Sequence, residues 1–185
     1  MECINLPCFG DEPCPEKVWG IEEYSHFVES KVKSLSDDKA GQKSKVILLG
    51  HSFGGQIAVY VTAHHPELID TLILSGPAVF RPKRSFHRFV FGLVAKIGKK
   101  IFSFPFLEKQ SLMAKKVLYR LAHSPDYQAT AGIKREIFRK IIREDARALL
   151  SKITTRTLVI WGSIDAYTPL KHGKKIVTMM PNAQL

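Results

Sequence analysis

Lys45-Val46-Ile47-Leu48-Leu49-Gly50-His51-Ser52-Phe53-Gly54-Gly55-Gln56-Ile57-Ala58-Val59-Tyr60-Val61-Thr62-Ala63 is the stretch on which the rest of the chain depends. Residues 45–49 are a short apolar run of the kind a buried parallel strand needs. Gln56 to Ala63 reads as a helix that ends near Pro66. Between them stands Gly-x-Ser-x-Gly. A sharp turn from strand to helix pushes the serine hydroxyl out at the end of the strand. Such a turn is crowded, so small residues are needed two before the serine and two and three after it. Gly50, Gly54 and Gly55 fill those places. The helix starts at the serine, so its free N–H groups and the positive end of its dipole face the same point. A bare Gly-x-Ser-x-Gly arises by chance in roughly one chain in twenty of this length. The strand before it, the helix after it and the third glycine separate this one from an idle glycine-rich turn.

On the N-terminal side, Met1 to Leu6 is short and apolar and is read as the tail of a strand. Pro7-Cys8-Phe9-Gly10-Asp11-Glu12-Pro13 is dense in turn formers. Pro15-Glu16 then opens a helix, with Val18, Ile21, Tyr24, Phe27, Val28, Val32 and Leu35 at helical spacing up to Ser36. On the C-terminal side, Thr71-Leu72-Ile73-Leu74-Ser75 reads as a second buried strand, closed by Gly76-Pro77. Helix, strand, helix, strand with short joints is the signature of a parallel α/β sheet with right-handed crossovers.

The pattern then breaks. No comparable strand occurs between Arg81 and Leu150. Apolar spacing there predicts a basic amphipathic helix over 86–102, a second helix with Met113, Val117, Leu118 and Leu121, and a third and fourth carrying Ile133, Ile137, Ile141, Ile142, Leu149 and Leu150. Residues 81–150 hold 17 Lys+Arg and 5 Asp+Glu, whereas the rest of the chain holds 11 and 12. The formal net charge of +11 therefore belongs to this segment, which marks it off by composition. Thr157-Leu158-Val159-Ile160-Trp161 resumes the sheet. Residues 162–169 form the loop at its end, Leu170 to Met180 a helix, and Gln184-Leu185 the start of a further element. The organisation is thus a sheet domain over 1–80 and 151–185, interrupted by a basic helical insertion over 81–150.

The chain has 185 residues, 45% of them hydrophobic, which fits one globular domain. No apolar run reaches the ~18–20 residues of a membrane-spanning helix, and residues 1–30 show no basic and apolar leader. A cytoplasmic chain is expected. Its three cysteines, Cys3, Cys8 and Cys14, fit neither a zinc knuckle nor a redox Cys-x-x-Cys pair, and their odd number argues against a disulfide framework. They are expected as reduced thiols, with no metal and no cofactor.

A serine hydroxyl is a weak nucleophile near neutral pH. It needs a histidine to take its proton and an acid to orient that histidine. In open parallel sheets such groups converge at the C-terminal ends of strands. Ser52 stands at one such end and Asp165, four residues beyond Trp161, at another. The alternative for Asp165 is a loop aspartate making an Asx-turn.

Gly50-His51-Ser52-Phe53-Gly54-Gly55, Trp161-Gly162-Ser163-Ile164-Asp165 with Thr168-Pro169, and the helical insertion between them together resemble the capped α/β-hydrolase superfamily. Leu6-Pro7-Cys8-Phe9-Gly10-Asp11-Glu12 is similar to the segment after that fold's fourth strand, usually D-x-P-G-x-G-x-S, with Cys8 and Glu12 departing from it. The resemblance implies Ser52 as nucleophile, Asp165 as the acid, and the Phe53 backbone N–H as one donor of the oxyanion hole. It also implies three strands before residue 1 and a catalytic histidine after the eighth strand, which would begin near Gln184-Leu185. The chain is accordingly expected to be an internal fragment, inactive by itself, whose first strand has an open apolar edge. His172, His51, His64, His65, His26, His87 and His123 are weighed as substitutes; His172 and His51 are the nearest to the motifs, and the others read as helix-end, surface or packing residues.

The implied activity is hydrolysis of a small apolar ester or related carbonyl compound. Haloperoxidase, carbon–carbon bond hydrolase and acyltransferase chemistry share the serine elbow and stay open, as does a non-catalytic binding or receptor role. For the basic insertion, a solvated Lys/Arg face over an aromatic pocket lining stands beside weak contact with anionic membranes through residues 86–102. Nucleic acid would rest on charge alone and is not expected as a partner, nor is an obligate protein.

Overall fold

The computed structural model describes residues 2–36, 44–81, 132–165 and 169–185. By its internal contacts the chain divides into one unit made of Met1–Arg81 with Glu136–Leu185 and another made of Pro82–Arg135. The first unit is an α/β sheet domain. Its elements are α1 (Ile21–Ser36), β1 (Val46–His51), α2 (Ser52–His64), β2 (Ile69–Ser75), α3 (Gly132–Ile141, of which Glu136 onward belongs to this unit), β3 (Arg156–Ile160), α4 (Leu170–Met179) and β4 (Ala183–Gln184), with 3-10 turns at Pro66–Leu68 and Arg147–Lys152. The helices expected over 86–102 and around 113–121 lie outside the described residues.

The sheet is parallel, in the order β1-β2-β3-β4, with β1 at one edge. Its register brings Leu48, Leu72 and Thr157 side by side, then Gly50, Leu74 and Val159. Successive side chains of a strand point to opposite faces, so these six share one face. That face is the core: Leu72, Leu74, Thr157 and Val159 are buried there. α2 packs on β1 and β2 and also touches α1 and the Arg147–Lys152 turn, while α4 packs on that turn and on β3.

The strands were expected to be buried on both faces, and this is corrected. Ile47 and Leu49 are 65% and 61% exposed, and Leu158 and Ile160 are 41% and 49% exposed. Register puts Ile47 beside Thr71, Leu49 beside Ile73 and Leu158, and Ser75 beside Ile160. An uninterrupted apolar run signals two apolar faces, but among the described residues the buried contacts gather on one.

Three further expectations change. Residues 2–6 form no strand. Helix α1 begins at Ile21 rather than at Pro15. The Gly20 N–H donates to the Glu23 carboxylate at 2.6 Å, and the Ile21 N–H donates to that of Glu144 at 2.7 Å. A glutamate reaching back over the first turn is half of a capping box; the other partner lies 123 residues away in sequence. Finally, Cys8 and Cys14 form a disulfide, leaving Cys3 as the exposed free thiol. The cysteines were judged by their number, and a local loop closure across six residues needs only two.

Candidate active site

β1, β2 and β3 end level with one another, with His51, Ser75 and Ile160 in register. The chain therefore leaves the sheet at three adjacent points along one end. At the first point it turns directly into α2, whose first residue is Ser52. Ser52 has φ 49°, left-handed backbone that a residue with a Cβ adopts only under constraint.

The constraints are visible. A Cβ on Gly50 would lie 2.5 Å from the Gly54 carbonyl oxygen and 2.7 Å from the Gly55 Cα. A Cβ on Gly55 would lie 2.6 Å from the Pro77 Cβ. The Ala78 N–H donates to the Ser52 carbonyl at 2.9 Å. Gly50 and Gly55 thus allow strand, turn and the segment after β2 to close on one another. Gly54 does not share this role: nothing described comes within 4 Å of a Cβ built there. The expectation that all three glycines relieve crowding holds for two.

Phe53, the second residue of α2, has a backbone N–H among the first amides of the helix, which have no acceptor within it. Its ring lies 5.3 Å from that of Tyr24 and 5.7 Å from that of Phe9. The Tyr24 hydroxyl in turn donates to the Pro7 carbonyl at 2.9 Å. Burial pushes Tyr24 up to about 12, so this hydroxyl keeps its proton. The loop closed by Cys8–Cys14 therefore supports the side chain of the residue that follows Ser52. Sequence reading missed this. Its available signal was the departure at Cys8, which has φ 70° where the family pattern has glycine.

Asp165 is half-buried, past the end of β3, and its N–H donates to the Gly162 carbonyl at 3.3 Å. Ser52 and Asp165 thus lie at the same end of the sheet, just past the ends of the two strands that flank β2. The Gly76 N–H, just past the end of β2, donates to the Ile160 carbonyl at 3.0 Å and ties the two exits beside Asp165 together.

Among the described residues no histidine hydrogen-bonds the Ser52 hydroxyl. His51 is exposed at the end of β1. His64 and His65 close α2 at its far end, and His65 is paired with Glu29 and Glu67. His172, in the first turn of α4, lies 5.1 Å from the Phe80 ring. Burial, then Lys171, Lys175 and Arg147, hold His172 below its ordinary value, so it is biased toward the neutral form. A groove of about 240 Å³ between α1 and α2, lined by Glu22, His26, Glu29, Tyr60 and His65 among others, lies at the opposite end of α2 from Ser52. Among the described residues no three His, Cys, Asp or Glu side chains are gathered to hold a metal ion, and no helix is long and apolar enough to cross a membrane.

Comparison with known proteins places these features. The family described as "Serine aminopeptidase, S33" matches residues 13–185. The chain is 27% identical to a pimeloyl-[acyl-carrier protein] methyl ester esterase of Neisseria meningitidis serogroup C, an alignment covering all of this chain and 72% of that protein. It is 30% identical to a 2-hydroxy-6-oxononadienedioate/2-hydroxy-6-oxononatrienedioate hydrolase of Comamonas testosteroni, covering 83% of this chain and 57% of that one. Among solved structures, a serine hydrolase involved in carbazole degradation superposes with a TM-score of 0.63 at 20% identity, covering 97% of this chain and 66% of the other.

Proposed function

The chain belongs to the serine aminopeptidase S33 family of α/β-hydrolase-fold proteins, and from that premise we propose that it carries the nucleophile and the acid of a serine hydrolase acting on small esters or related carbonyl compounds. The observation that carries the reading is Ser52 in left-handed backbone, φ 49°, at a junction of strand and helix built around Gly50 and Gly55. The Ser52 Oγ attacks the carbonyl carbon while a histidine takes its proton. The Phe53 N–H, at the open end of α2, donates to the oxyanion. Collapse expels the alcohol, which takes the proton from the histidine. Water then attacks the acyl-serine and releases the acid and the free enzyme. Asp165 holds the histidine in orientation and stabilises its cation.

In this reading the cap role belongs to Pro82–Arg135 rather than to all of residues 81–150, because Arg81 and Glu136–Leu150 are part of the sheet unit. Carbon–carbon bond hydrolysis is a second reading, favoured by the 30% identity to the Comamonas testosteroni hydrolase. The test uses the full-length protein, wild type beside Ser52→Ala, with acyl nitrophenyl esters and with a vinylogous diketone. Loss of ester turnover in Ser52→Ala, by a factor of at least about a thousand, is expected. Equal turnover by the two proteins sinks the mechanism, and activity on the diketone alone selects the second reading.

A further inference from the structure

The segment after β2 runs past the elbow and is fastened at its far end by one half-buried side chain. Ala78 touches the elbow through its N–H to the Ser52 carbonyl, and Pro77 meets Gly55. Three residues on, the Arg81 guanidinium turns inward. Its Nε donates to the Glu144 carbonyl at 2.9 Å, and its Nη2 donates to the Gln56 Oε1 at 2.6 Å and to the Ile141 carbonyl at 3.0 Å. The Arg81 N–H donates to the Asp145 carboxylate at 3.1 Å, and the Arg81 carbonyl accepts from Arg147 at 3.3 Å. Between these two ends, the Ala146 N–H donates to the Val79 carbonyl at 3.3 Å.

Gln56 is the second anchor. It is fully buried in α2, four residues after Ser52. Its Nε2 donates to the same Glu144 carbonyl at 2.7 Å while its Oε1 takes the Arg81 guanidinium. A buried amide with both ends paired is fixed in orientation, because turning it would leave donors facing a donor. The Glu144 carboxylate at the same time caps α1 at Ile21. One residue thus joins α1, α2 and the segment 77–81, and Arg81 closes the ring.

We propose that Arg81 is a positioning residue for the nucleophile, holding segment 77–81 through Gln56 and Glu144 so that the Ala78–Ser52 hydrogen bond keeps Ser52 in its left-handed backbone. The strain at Ser52 persists only while its surroundings over-determine it. Arg81 touches no reacting group; it acts through Ala78 on the direction of the Ser52 Oγ. The inference rests on the hydrolase reading for its effect on rate, and on geometry alone for its effect on the backbone.

Arg81→Met, Arg81→Lys and Gln56→Leu in the full-length protein test it by two readouts. With an acyl nitrophenyl ester, Arg81→Met is expected to lower kcat by about tenfold to a hundredfold, the range for a misplaced reacting group, with KM changed less than about twofold. Arg81→Lys recovers part of the loss, since it keeps the charge but not the fork of donors. Hydrogen exchange, read without substrate, is expected to show the Ala78 amide opening at least about tenfold faster in Arg81→Met while Leu72 and Leu74 keep their protection. An unchanged Ala78 amide overturns the proposal, as does exchange raised equally at Ala78, Leu72 and Leu74. A folded Arg81→Met with wild-type kcat overturns it too. If Ala78 opens as expected but the wild type turns over no ester, the hydrolase reading fails and Arg81 remains the residue that fixes the Ser52 backbone.

Discussion

Gly54 and Gly55 are neighbours in one motif, yet their substitutions have different consequences. A methyl group at position 55 must displace Pro77, whose backbone Cα lies 3.0 Å from the added carbon. At position 50 it meets only backbone. Gly50→Ala and Gly55→Ala should each cost about 1–3 kcal/mol or more, whereas Gly54→Ala should be neutral or slightly stabilising in thermal melts, since alanine suits a helix better than glycine. A Gly54→Ala variant as unstable as Gly55→Ala would refute this reading of the turn. The motif made the serine, its turn and the two crowded glycines legible, because that chemistry is local. Gln56 and Arg81 were not singled out: a glutamine at the start of a helix and an arginine at the edge of a basic segment become special only once residues 141–147 are packed beside them. Tyr24 was read correctly as a helix residue facing inward, but its partner Pro7 was not visible. Because burial raises Tyr24 from about 10 in an unfolded chain to about 12, the folded state holds that proton more tightly. Its contribution, roughly 2–3 kcal/mol, is complete below about pH 10 and is lost as pH rises from about 10 to about 12. In denaturant titrations wild type should therefore lose about that much stability relative to Tyr24→Phe across that window, and a constant difference between them would count against it.

The Cys8–Cys14 loop and helix α1 show how an element can be recognised while its limits are not. Apolar spacing from Val18 to Leu35 predicts a helix opening at Pro15, and Tyr24, Val28 and Val32 are the buried face of the helix that forms from Ile21. Its start at Ile21 depends on Glu144, which arrives from the other end of the unit. Replacing Glu144 by Gln keeps the shape but weakens the charge at the helix N-terminus; a loss of about 0.5–1 kcal/mol is expected in urea unfolding. The disulfide lies in a loop that sequence reading assigned correctly as turn-rich and incorrectly as reduced. Closing so short a loop stabilises by about 2 kcal/mol in the chain-entropy account. Cys14→Ser, or a dithiol reductant on the wild type, should lower stability by about that amount. Either should also loosen the contact of Phe9 with Phe53, read as increased exchange of the amides of residues 8–12. An unchanged melting temperature on reduction, with two more thiols titrated, would show that the loop holds its shape without the bond.

The sheet as a whole was anticipated: parallel strands, helices between them, and chain exits carrying Ser52 and Asp165 at one end. Topology followed from the order of apolar runs, since parallel neighbours require crossovers of this length. The uneven cover of its faces was not legible, because Val46-Ile47-Leu48-Leu49 reads identically whether one face or two are packed. In the described residues Ile47, Leu49, Leu158 and Ile160 lie exposed on adjoining strands, and β1 is an edge with unpaired backbone groups along its outer side. An exposed apolar face next to an open edge drives association. The 185-residue chain is therefore expected to bind an apolar dye such as anilinonaphthalene sulfonate and to sediment as concentration-dependent oligomers. Leu49→Lys with Ile160→Lys should reduce both effects together, because register sets the two positions on the same face as Ile73, which lies between their strands. A lysine pair on the opposite face, at Leu72 and Val159, should instead unfold the chain, since both are buried in the core. A sharply melting monomer that ignores the dye would mean that this face is covered in solution, and the sheet would then be buried on both sides as its sequence first suggests.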